Sequence, residues 1–357
     1  MSIVAYVSGH GFGHAVREIE ILRRLPADIP LVVKSLSPEW FWRQEMGRPF
    51  DFVRAAFDVG CVQTTSLDVD VRATLAAWND LAHEVEGLGA AEVEDLERRG
   101  ARVVVSDVPS YPLALAARRG LPGVCVANFT WADIYADYVA DEPAFGPVVE
   151  RLEREYARAT LLLETDLSLP MPYFPHREGV GLVARAGRDR RAELEARLPA
   201  DARGRRLALL YAGNWGIPLP YERLERFRDW HFLTLAPIPA APPNLTVAAQ
   251  DWMPHPDFVA SVDLAIAKPG YGMVGECLTA GTPLLYCPRA GFAEFAALDA
   301  ALAASPVGIR LESEPFLAMA WEPALSAVPD RGRLPRQAAP GGPAAAARLE
   351  SLYRSTA

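Results

Sequence analysis

The stretch DLAIAKPGYGMVGE, residues 263–276, carries the clearest structural pattern in the sequence. Its apolar run predicts a buried strand over 263–268, and the spacing that follows predicts a helix over 272–280. Glycines between the two let backbone amides approach an anion, and a helix N-terminus adds partial positive charge that suits a diphosphate. Glu276, about one turn into the helix, is placed to accept hydrogen bonds from two ribose hydroxyls. Such a turn also occurs where a helix merely packs tightly on a strand, so both interpretations stay open.

The alternation of strands and helices continues on both sides of this stretch. Predicted strands cover residues 3–7, 31–37, 102–107, 123–128 and 161–166, and then 205–213, 231–237, 244–248, 263–268 and 282–288. Predicted helices cover 72–99, 113–119, 272–280 and 292–304, with shorter ones near 220–228 and around Phe258. Short apolar strands alternating with helices indicate parallel sheets buried on both faces. We therefore predict an α/β protein with two Rossmann-like domains.

Length and a proline-rich break suggest where the two domains divide. A chain of 357 residues is long enough for two domains of about 150 residues each. The segment LPMPYFP lacks amide donors that a helix or a central strand needs. We predict a first domain over 1–166, a linker over 167–200, a second domain over 201–321 and a final segment over 322–357. The final segment is expected to begin with a mobile surface stretch rich in proline and alanine and to end in a closing helix.

Composition and charge argue against several classes of protein. The formal net charge of −9 is unlike that of a general nucleic-acid binder, although it allows a local basic pocket. No apolar run approaches the roughly 20 residues that span a bilayer, and the first residues lack the basic segment of a signal peptide. The expected compartment is therefore the cytoplasm. Four widely spaced cysteines are expected to be buried reduced thiols, not metal ligands: Cys61, Cys125, Cys277 and Cys287.

A second informative loop, SGHGFGH at residues 8–14, lies between the first predicted strand and the first predicted helix. This loop, the turn at 268–276 and the segment AGTPLLYCP after it resemble the GT-B glycosyltransferases, especially the bacterial N-acetylglucosaminyltransferase of peptidoglycan synthesis. The longer segment GHGFGHAVR is similar to the N-terminal, glycosyltransferase-like part of arabinokinases. The resemblance covers the chain from the first strand to about residue 311. It implies two Rossmann-like domains facing each other across a cleft, the first binding an acceptor and the second a nucleotide sugar.

The resemblance gives each position of the glycine-rich turn a role. Lys268 takes the place of a histidine that faces the phosphates. Gly270 and Gly272 match the glycine loop, and Glu276 matches the acid that binds the ribose. Met273 stands where the family has a serine, which removes one hydroxyl donor from the diphosphate site. The backbone amide remains, and Lys268 supplies a full positive charge instead.

Two segments upstream of this turn also match donor-binding positions of the family. In AGNWG, Gly213 and Asn214 would face the diphosphate, with a plain turn as the alternative. In QDWMPHPDF, Trp252 and Met253 are candidates for the pocket that holds the base. A tryptophan beside a proline is as often part of a core, so the second assignment also has an alternative.

Two charged residues after the predicted strand 282–288 complete the donor site that the resemblance implies. Glu294 matches the position that contacts hydroxyls of the donor sugar, and Arg289 could assist a phosphate. Both side chains could equally face solvent.

The loop at 8–14 resembles the acceptor side of the same superfamily and supplies His10, Gly11 and Gly13. In inverting members, the histidine that ends this loop deprotonates the acceptor hydroxyl, which makes His14 the candidate base. An imidazole suits this task because it titrates near neutral pH. Asp107 falls where some relatives place the carboxylate that orients such a base. The alternative is that one histidine caps the helix and the other packs in the loop, which is the favoured interpretation for His10.

The implied reaction is transfer of a sugar from a nucleoside diphosphate sugar, most simply a UDP-sugar, to a hydroxyl acceptor. Inversion at the anomeric carbon, no metal and no cofactor beyond the donor are expected. The alternatives are a nucleotide-sugar epimerase or hydrolase on the same fold and a non-catalytic nucleotide-sugar-binding protein. No Walker A motif is present, so a P-loop kinase is not predicted. Base, sugar, acceptor and oligomeric state are left open.

Overall fold

The structure is a computed structural model that describes residues 1–211, 216–238 and 241–356. It contains two parallel sheets, each flanked by helices. The strands of the first sheet are β1 (Ser2–Val7), β2 (Leu31–Ser35), β3 (Asp51–Arg54), β4 (Ala101–Asp107), β5 (Gly123–Ala127), β6 (Leu161–Thr165) and β7 (Arg177–Gly181). The helices of this half are α1 (Gly13–Leu22), α2 (Glu39–Met46), α3 (Val71–Arg98), α4 (Tyr111–Arg118), α5 (Trp131–Ala136) and α6 (Phe145–Tyr156).

The second half repeats this organisation. Its strands are β8 (Arg206–Tyr211), β9 (Trp230–Thr234), β10 (Leu245–Val247), β11 (Leu264–Ala267), β12 (Leu284–Tyr286) and β13 (Gly308–Arg310). Its helices are α7 (Arg191–Arg197), α8 (His255–Ser261), α9 (Tyr271–Ala280), α10 (Glu294–Ala303), α11 (Ser313–Leu317), α12 (Glu322–Ala327) and α13 (Gly341–Ser355), with 3-10 turns at Ala200–Ala202 and Tyr221–Arg226. None of the helices in the described ranges is both long and apolar enough to cross a membrane.

The strand order confirms the predicted Rossmann-like architecture. The first sheet runs β3-β2-β1-β4-β5-β6-β7 and the second runs β10-β9-β8-β11-β12-β13, with all neighbours parallel. In each sheet the order reverses between its first and fourth strands. Ligands of such sheets bind beyond the carboxyl ends of the strands at this reversal. The functional site is therefore expected at the loops that follow β1, β4, β8 and β11.

Burial explains why the central strands were recognisable. All six residues of β1 are buried, and the three valines in the middle of β4, Val103 to Val105, are completely buried. Helices cover both faces of such strands, so each position favours an apolar side chain. The four cysteines are buried and unpaired, which confirms the expectation of free thiols.

Several segments pack against a different half of the molecule from the one that the predicted domain boundaries give them. Strand β7 lies inside the predicted linker 167–200, yet it is the seventh strand of the first sheet. After it, Val183 packs in the core of the first half and Ala184 in that of the second. Leu67, from the loop between β3 and α3, packs into the core of the second half.

The final segment also differs from its predicted character. Helix α12 packs Ala324 and Leu325 into the core of the second half, so residues 322–327 are part of that domain. Helix α13 closes the molecule as predicted, but it packs on the first sheet, where Ala345 and Leu349 are completely buried.

Candidate functional site

The two strand-order reversals face one central cavity of about 480 Å³. Its wall on the side of the first half is built from the loop after β1, the start of α1, part of α2 and the end of β5. Its wall on the side of the second half is built from the ends of β8, β9 and β11 and from the starts of α8, α9 and α10. A cavity of this size matches the pockets that hold small-molecule ligands, which range from about 300 to 1,000 Å³.

His14 and Asp107 meet at one side of the central cavity. His14 lies in the first turn of α1 and Asp107 at the end of β4, and the pairing of Val7 with Asp107 in adjacent strands brings the two loops together. Nδ1 of His14 is 2.7 Å from Oδ1 of Asp107. Because a carboxylate only accepts hydrogen bonds, Nδ1 carries the hydrogen and Nε2 is left to accept a proton.

Arg17 is a neighbour of this pair that sequence reasoning missed. Its guanidinium reaches both oxygens of Asp107, with Nε 2.7 Å from Oδ2 and Nη2 bonded to Oδ1. Burial alone would raise the pKa of Asp107, but Arg17 and His14 outweigh burial and hold this pKa below its ordinary value. Asp107 is therefore an anion, and both His14 and Arg17 donate hydrogen bonds to it. The signal for Arg17 was its position three residues after His14, on the same face of the helix.

His10 has a packing environment that agrees with the structural alternative. Its Nδ1 accepts a hydrogen bond from the backbone N–H of Cys61 at 3.3 Å, and its ring packs edge-on against Trp131. Burial, followed by the charges of nearby basic groups, lowers the pKa of His10 well below its ordinary value. Gly11 has a positive φ of 73°, which suits glycine, and Gly13 begins α1 beside the cavity.

The glycine-rich turn opens onto the same cavity. Gly270 caps α9, and Gly272 lies in its first turn. A Cβ atom built on either residue would meet no other atom within 4 Å. At Gly275, by contrast, a Cβ would lie 2.9 Å from the Cβ of Ala184. Gly275 therefore allows close packing, whereas Gly270 and Gly272 leave the helix N-terminus open to the cavity.

Two basic side chains stand beside this helix N-terminus. Burial, together with the charge of Arg289, lowers the pKa of Lys268 to about 7, and the opposing effect of Glu294 is smaller. Arg289 is 8% exposed, its guanidinium carbon lies 3.6 Å from the centre of the Phe292 ring, and burial lowers its pKa. Two partly desolvated basic groups that repel each other favour an anionic ligand in the cavity.

Glu276 differs from the open ribose-binding acid that the resemblance implies. It lines the cavity but is only 3% exposed, and each of its oxygens already has a protein partner. Oε2 lies 2.7 Å from Nδ1 of His255, and Oε1 accepts a hydrogen bond from Nη2 of Arg185 at 3.1 Å. Burial alone would raise the pKa of Glu276, but His255 and Arg185 hold it below its ordinary value. Sequence reasoning gave neither neighbour a role, because each reaches Glu276 from a different segment.

Arg185 also ties the acid to the first half of the molecule. Its Nη1 lies 2.7 Å from Oε2 of Glu45 on α2. Helix α2, which was not predicted, also carries Trp40 and Phe41 at the mouth of the cavity. Trp40 is 52% exposed, and its ring and that of Phe41 contact Phe12.

The other residues predicted to bind the sugar donor are divided between the cavity wall and the core of the second half. Met253 and Met273 are buried and line the cavity, and Met273 contacts the sulfur of Cys277. Trp252 does not line the cavity, which corrects its assignment to the base pocket. Its ring packs against the core of the second half beneath the guanidinium of Arg197, because the chain turns at this point and presents the next residue to the cavity.

Glu294 lies at the start of α10 and faces the cavity. It is 6% exposed and so does not face solvent. Its Oε1 accepts a hydrogen bond from the side-chain amide of Asn128, 2.8 Å away at the end of β5. Gly213 and Asn214 lie outside the described residues. Within the described ranges, no group of three or more His, Cys, Asp or Glu side chains is arranged to hold a metal ion.

No protein-family model matches the chain. Among curated proteins, it is similar to L-arabinokinase of Arabidopsis thaliana, with 32% identity over 330 residues that make up 90% of this chain. The chain spans 31% of the length of that protein. This finding agrees with the resemblance of GHGFGHAVR to arabinokinases.

Solved structures of glycosyltransferases share the whole fold. The glycotransferase of kitacinnamycin has a TM-score of 0.62 at 17% identity, covering 99% of this chain and 95% of that one. UGT2 of Phytolacca americana, complexed with UDP-2fluoro-glucose and pterostilbene, has a TM-score of 0.62 at 12% identity, covering 100% and 94%. The glycosyltransferase VinC, in complex with DTDP, has a TM-score of 0.57 at 14% identity, covering 100% and 96%. The chain therefore has the GT-B fold, as predicted.

Proposed function

We propose that this protein is a glycosyltransferase that moves a sugar from a nucleoside diphosphate sugar to an acceptor hydroxyl group. The observation that carries the proposal is the placement of two complementary groups on opposite walls of one cavity. A histidine oriented by a buried carboxylate stands on one wall, and an open helix N-terminus with two basic side chains stands on the other. A base for the acceptor and an anion site for the leaving group are the two requirements of this transfer.

The donor diphosphate is placed at the start of α9. There the backbone amides around Gly270 and Gly272 would donate to phosphate oxygens, and Lys268 and Arg289 would add positive charge. These fixed groups stabilise the negative charge that develops on the leaving diphosphate. In this proposal they supply the charge without a metal ion.

The acceptor hydroxyl is placed against Nε2 of His14. As the acceptor oxygen bonds to the anomeric carbon, its proton passes to His14, and the bond from that carbon to the diphosphate breaks with the electron pair leaving on the phosphate oxygen. Asp107 stabilises the imidazolium that forms. A single displacement of this kind inverts the anomeric carbon.

We place the donor nucleotide between α9 and the start of α8, where Glu276 and Met253 line the cavity. For Glu276 to bind a ribose, its hydroxyls must share the carboxylate with His255 and Arg185 or displace them. UDP-sugars are the first donors to test, since one structural neighbour was solved with a UDP-sugar analogue and another with DTDP.

One further candidate function has support from particular residues. Met273 lacks the hydroxyl that the resemblance places beside the diphosphate. This difference favours a non-catalytic nucleotide-sugar-binding protein. Such a protein would retain donor binding but would have no use for His14.

The experiment compares His14→Ala with wild type, using His83→Ala as the matched control. His83 is exposed on α3, far along the chain from the site residues. UDP-, dTDP- and GDP-sugars are first screened for binding by thermal shift and calorimetry, and donors that bind are then tested for transfer and hydrolysis. We expect His14→Ala to lose roughly 10²–10⁴-fold in turnover, the usual contribution of a general base, while nucleotide binding is retained.

The outcomes separate the two candidates. Full turnover by His14→Ala would remove the base from the mechanism. Tight nucleotide binding by wild type, with no transfer or hydrolysis of any donor that binds, would favour the binding protein.

A further inference from the structure

A continuous chain of buried polar side chains runs along the wall of the central cavity. It runs from His14 through Asp107, Arg17 and Asn128 to Glu294. All five residues are at most 6% exposed. Four of them come from the first half and one from the second, so the chain joins the predicted base to the start of α10.

Arg17 stands at the middle of this chain and makes most of its contacts. Its Nε and Nη2 hold the two oxygens of Asp107, and its Nη1 donates to Oδ1 of Asn128. The same guanidinium lies over the ring of Tyr271, 5.2 Å from the ring centre. Arg17 therefore touches the partner of the base and also contacts the first residue of α9.

Asn128 links Arg17 to Glu294 of the second half. While its carbonyl oxygen accepts from Arg17, its amide nitrogen donates to Glu294 at 2.8 Å. An amide carries its acceptor and its donors on two separate atoms, so it can accept from a cation and donate to a carboxylate at the same time. Its orientation is thus fixed by its two charged neighbours.

We infer that Arg17 is a positioning residue that fixes the base on the acceptor side and Glu294 on the donor side in one geometry. The inference rests on the proposed function, because it concerns the reacting groups of that reaction. All three guanidinium nitrogens of Arg17 are hydrogen-bonded to Asp107 or Asn128. Arg17 acts on the base through Asp107 and on the donor sugar site through Asn128.

The side-chain chemistry explains why this position needs an arginine. A guanidinium is planar and presents five N–H donors in a rigid fork, so one group can serve Asp107 twice and Asn128 once. A lysine carries the same charge on a single nitrogen and cannot hold both partners in that geometry. Burial alone would lower the pKa of Arg17, but Asp107 raises it above its ordinary value, so the fork stays charged.

A buried ion pair can also be purely structural, and the test must distinguish this case. If Arg17 only stabilised the fold, Arg17→Lys would lower the melting temperature and the folded protein would turn over normally. If it positions the reacting groups, the folded variant loses turnover while its affinity for donor changes little. A double-mutant cycle with Glu294→Gln then shows whether Arg17 acts along the chain.

The experiment measures kcat, the donor KM and the melting temperature of Arg17→Lys, Glu294→Gln and the double variant. Arg23→Lys is the matched control, because Arg23 caps the far end of the same helix, its side chain is 36% exposed, and it pairs with Glu20, which lies outside the chain of polar residues. We expect Arg17→Lys to lower kcat roughly 10- to 100-fold with the donor KM within about threefold. The double variant should lose far less than the product of the two single losses, because both substitutions break one chain.

Three results would overturn the inference: wild-type kcat in Arg17→Lys, no effect of Glu294→Gln, or single losses that multiply in the double variant. Should Arg17→Lys fail to fold, Asn128→Ala replaces it in the same cycle, since it breaks the chain and leaves the ion pair of Arg17 with Asp107. Failure of the proposed function gives a different result from failure of this inference. If His14→Ala keeps full turnover, the base is wrong, whereas an inactive His14→Ala with multiplying losses rejects only the role of Arg17.

Discussion

At the scale of single residues, the environment decides what a side chain can do. His10 and His14 occupy the same loop, only four positions apart. Both residues line the cavity, but His14 is hydrogen-bonded to a buried carboxylate, whereas His10 accepts a backbone hydrogen bond, and burial and neighbouring positive charges lower its pKa well below the ordinary value. The residue type alone could not separate them, because both are imidazoles in a glycine-rich loop.

The lowered pKa of Lys268 predicts a pH dependence of donor binding. With a pKa of about 7, the free site holds a cationic lysine below pH 7 and a largely neutral one above it. A bound diphosphate favours the cation, so binding above pH 7 requires proton uptake and affinity should weaken by about tenfold per pH unit. The measurement is calorimetric affinity for a nucleotide sugar between pH 6 and 8.5, where its diphosphate diester does not titrate.

Lys268→Arg is the control for this prediction, because arginine stays charged throughout that range. Its affinity should vary much less with pH than that of wild type. Equal pH profiles for the two proteins would show that Lys268 does not carry the charge that binds the donor.

Glu18 provides a second prediction, on stability. This residue of α1 is completely buried, and neither carboxyl oxygen has a hydrogen-bond partner among the described residues. Burial, reinforced by the charge of Asp107, raises its pKa well above the ordinary value, against a smaller opposing effect of Arg17. The folded state therefore keeps the proton after the unfolded chain has lost it, so this carboxyl destabilises the fold increasingly as pH rises above about 4.5.

Glu18→Gln removes that destabilisation, since an amide does not titrate. Relative to wild type, its melting temperature should rise between pH 5 and pH 8, by about 2–4 °C for each kcal/mol of ionisation penalty. Glu94→Gln, at an exposed position of α3, serves as the control and should show no such trend. A difference between Glu18→Gln and wild type that does not change with pH would contradict the assignment.

At the scale of elements, helix α9 divides its glycines between two tasks. Gly275 lets the helix approach Ala184 of the linker, and Gly272 leaves the first turn open to the cavity. The same residue type therefore serves packing in one turn and ligand access in another. The sequence pattern shows all the glycines but not which side of the helix meets the linker.

Two alanine substitutions separate these tasks. Gly272→Ala should leave the free energy of unfolding unchanged or raise it by up to about 1 kcal/mol, because alanine favours helix and nothing is close. It should weaken nucleotide-sugar binding roughly tenfold, the equivalent of about 1.4 kcal/mol, by placing a methyl group against the diphosphate.

Gly275→Ala should instead cost about 1–3 kcal/mol of stability, because its methyl group overlaps Ala184. Chemical denaturation and calorimetric binding measure the two effects. Full donor affinity in Gly272→Ala would place the diphosphate elsewhere in the cavity.

At the scale of the whole molecule, the two halves are held together by segments that pack against the half other than the one adjacent to them in sequence. Helix α13 follows the second domain in sequence but completes the core of the first. Arg185 reaches Glu45 of the first half, Asn128 reaches Glu294 of the second, and Leu67 packs into the core of the second half. The cavity is therefore shaped by the halves jointly, and neither wall forms a complete site alone.

The packing of α13 predicts that a change near the end of the chain weakens the first domain. Leu349 is completely buried against the first sheet, so Leu349→Ala should cost about 2–5 kcal/mol. Leu88→Ala is the control, at a residue that is 53% exposed on α3, and should change stability by no more than about 0.5 kcal/mol. Urea denaturation measures both, and equal stabilities of the two variants would show that α13 does not complete this core.

Much of the architecture was predictable because buried parallel strands have a strong local signature. The central strands and the long helices α3, α9 and α10 were recognised from apolar runs and helical spacing. Strands β3, β7 and β13 were not predicted because they are sheet edges, where most side chains are partly or fully exposed and no apolar run is required. Short helices such as α2 and α5 offer too few turns for a clear period.

The sequence by itself determined two Rossmann-like halves, the glycine-rich loops at residues 8–14 and 268–276, and the presence of His14 and Lys268 in them. These are local properties, because apolar runs and helical spacing depend on residues that are close together in the sequence. Only the tertiary structure decided the partners: Arg17 on Asp107, Asn128 on Glu294, and two protein groups on Glu276. Contacts between distant segments depend on how the halves meet across the cleft, and no spacing along the chain encodes that geometry.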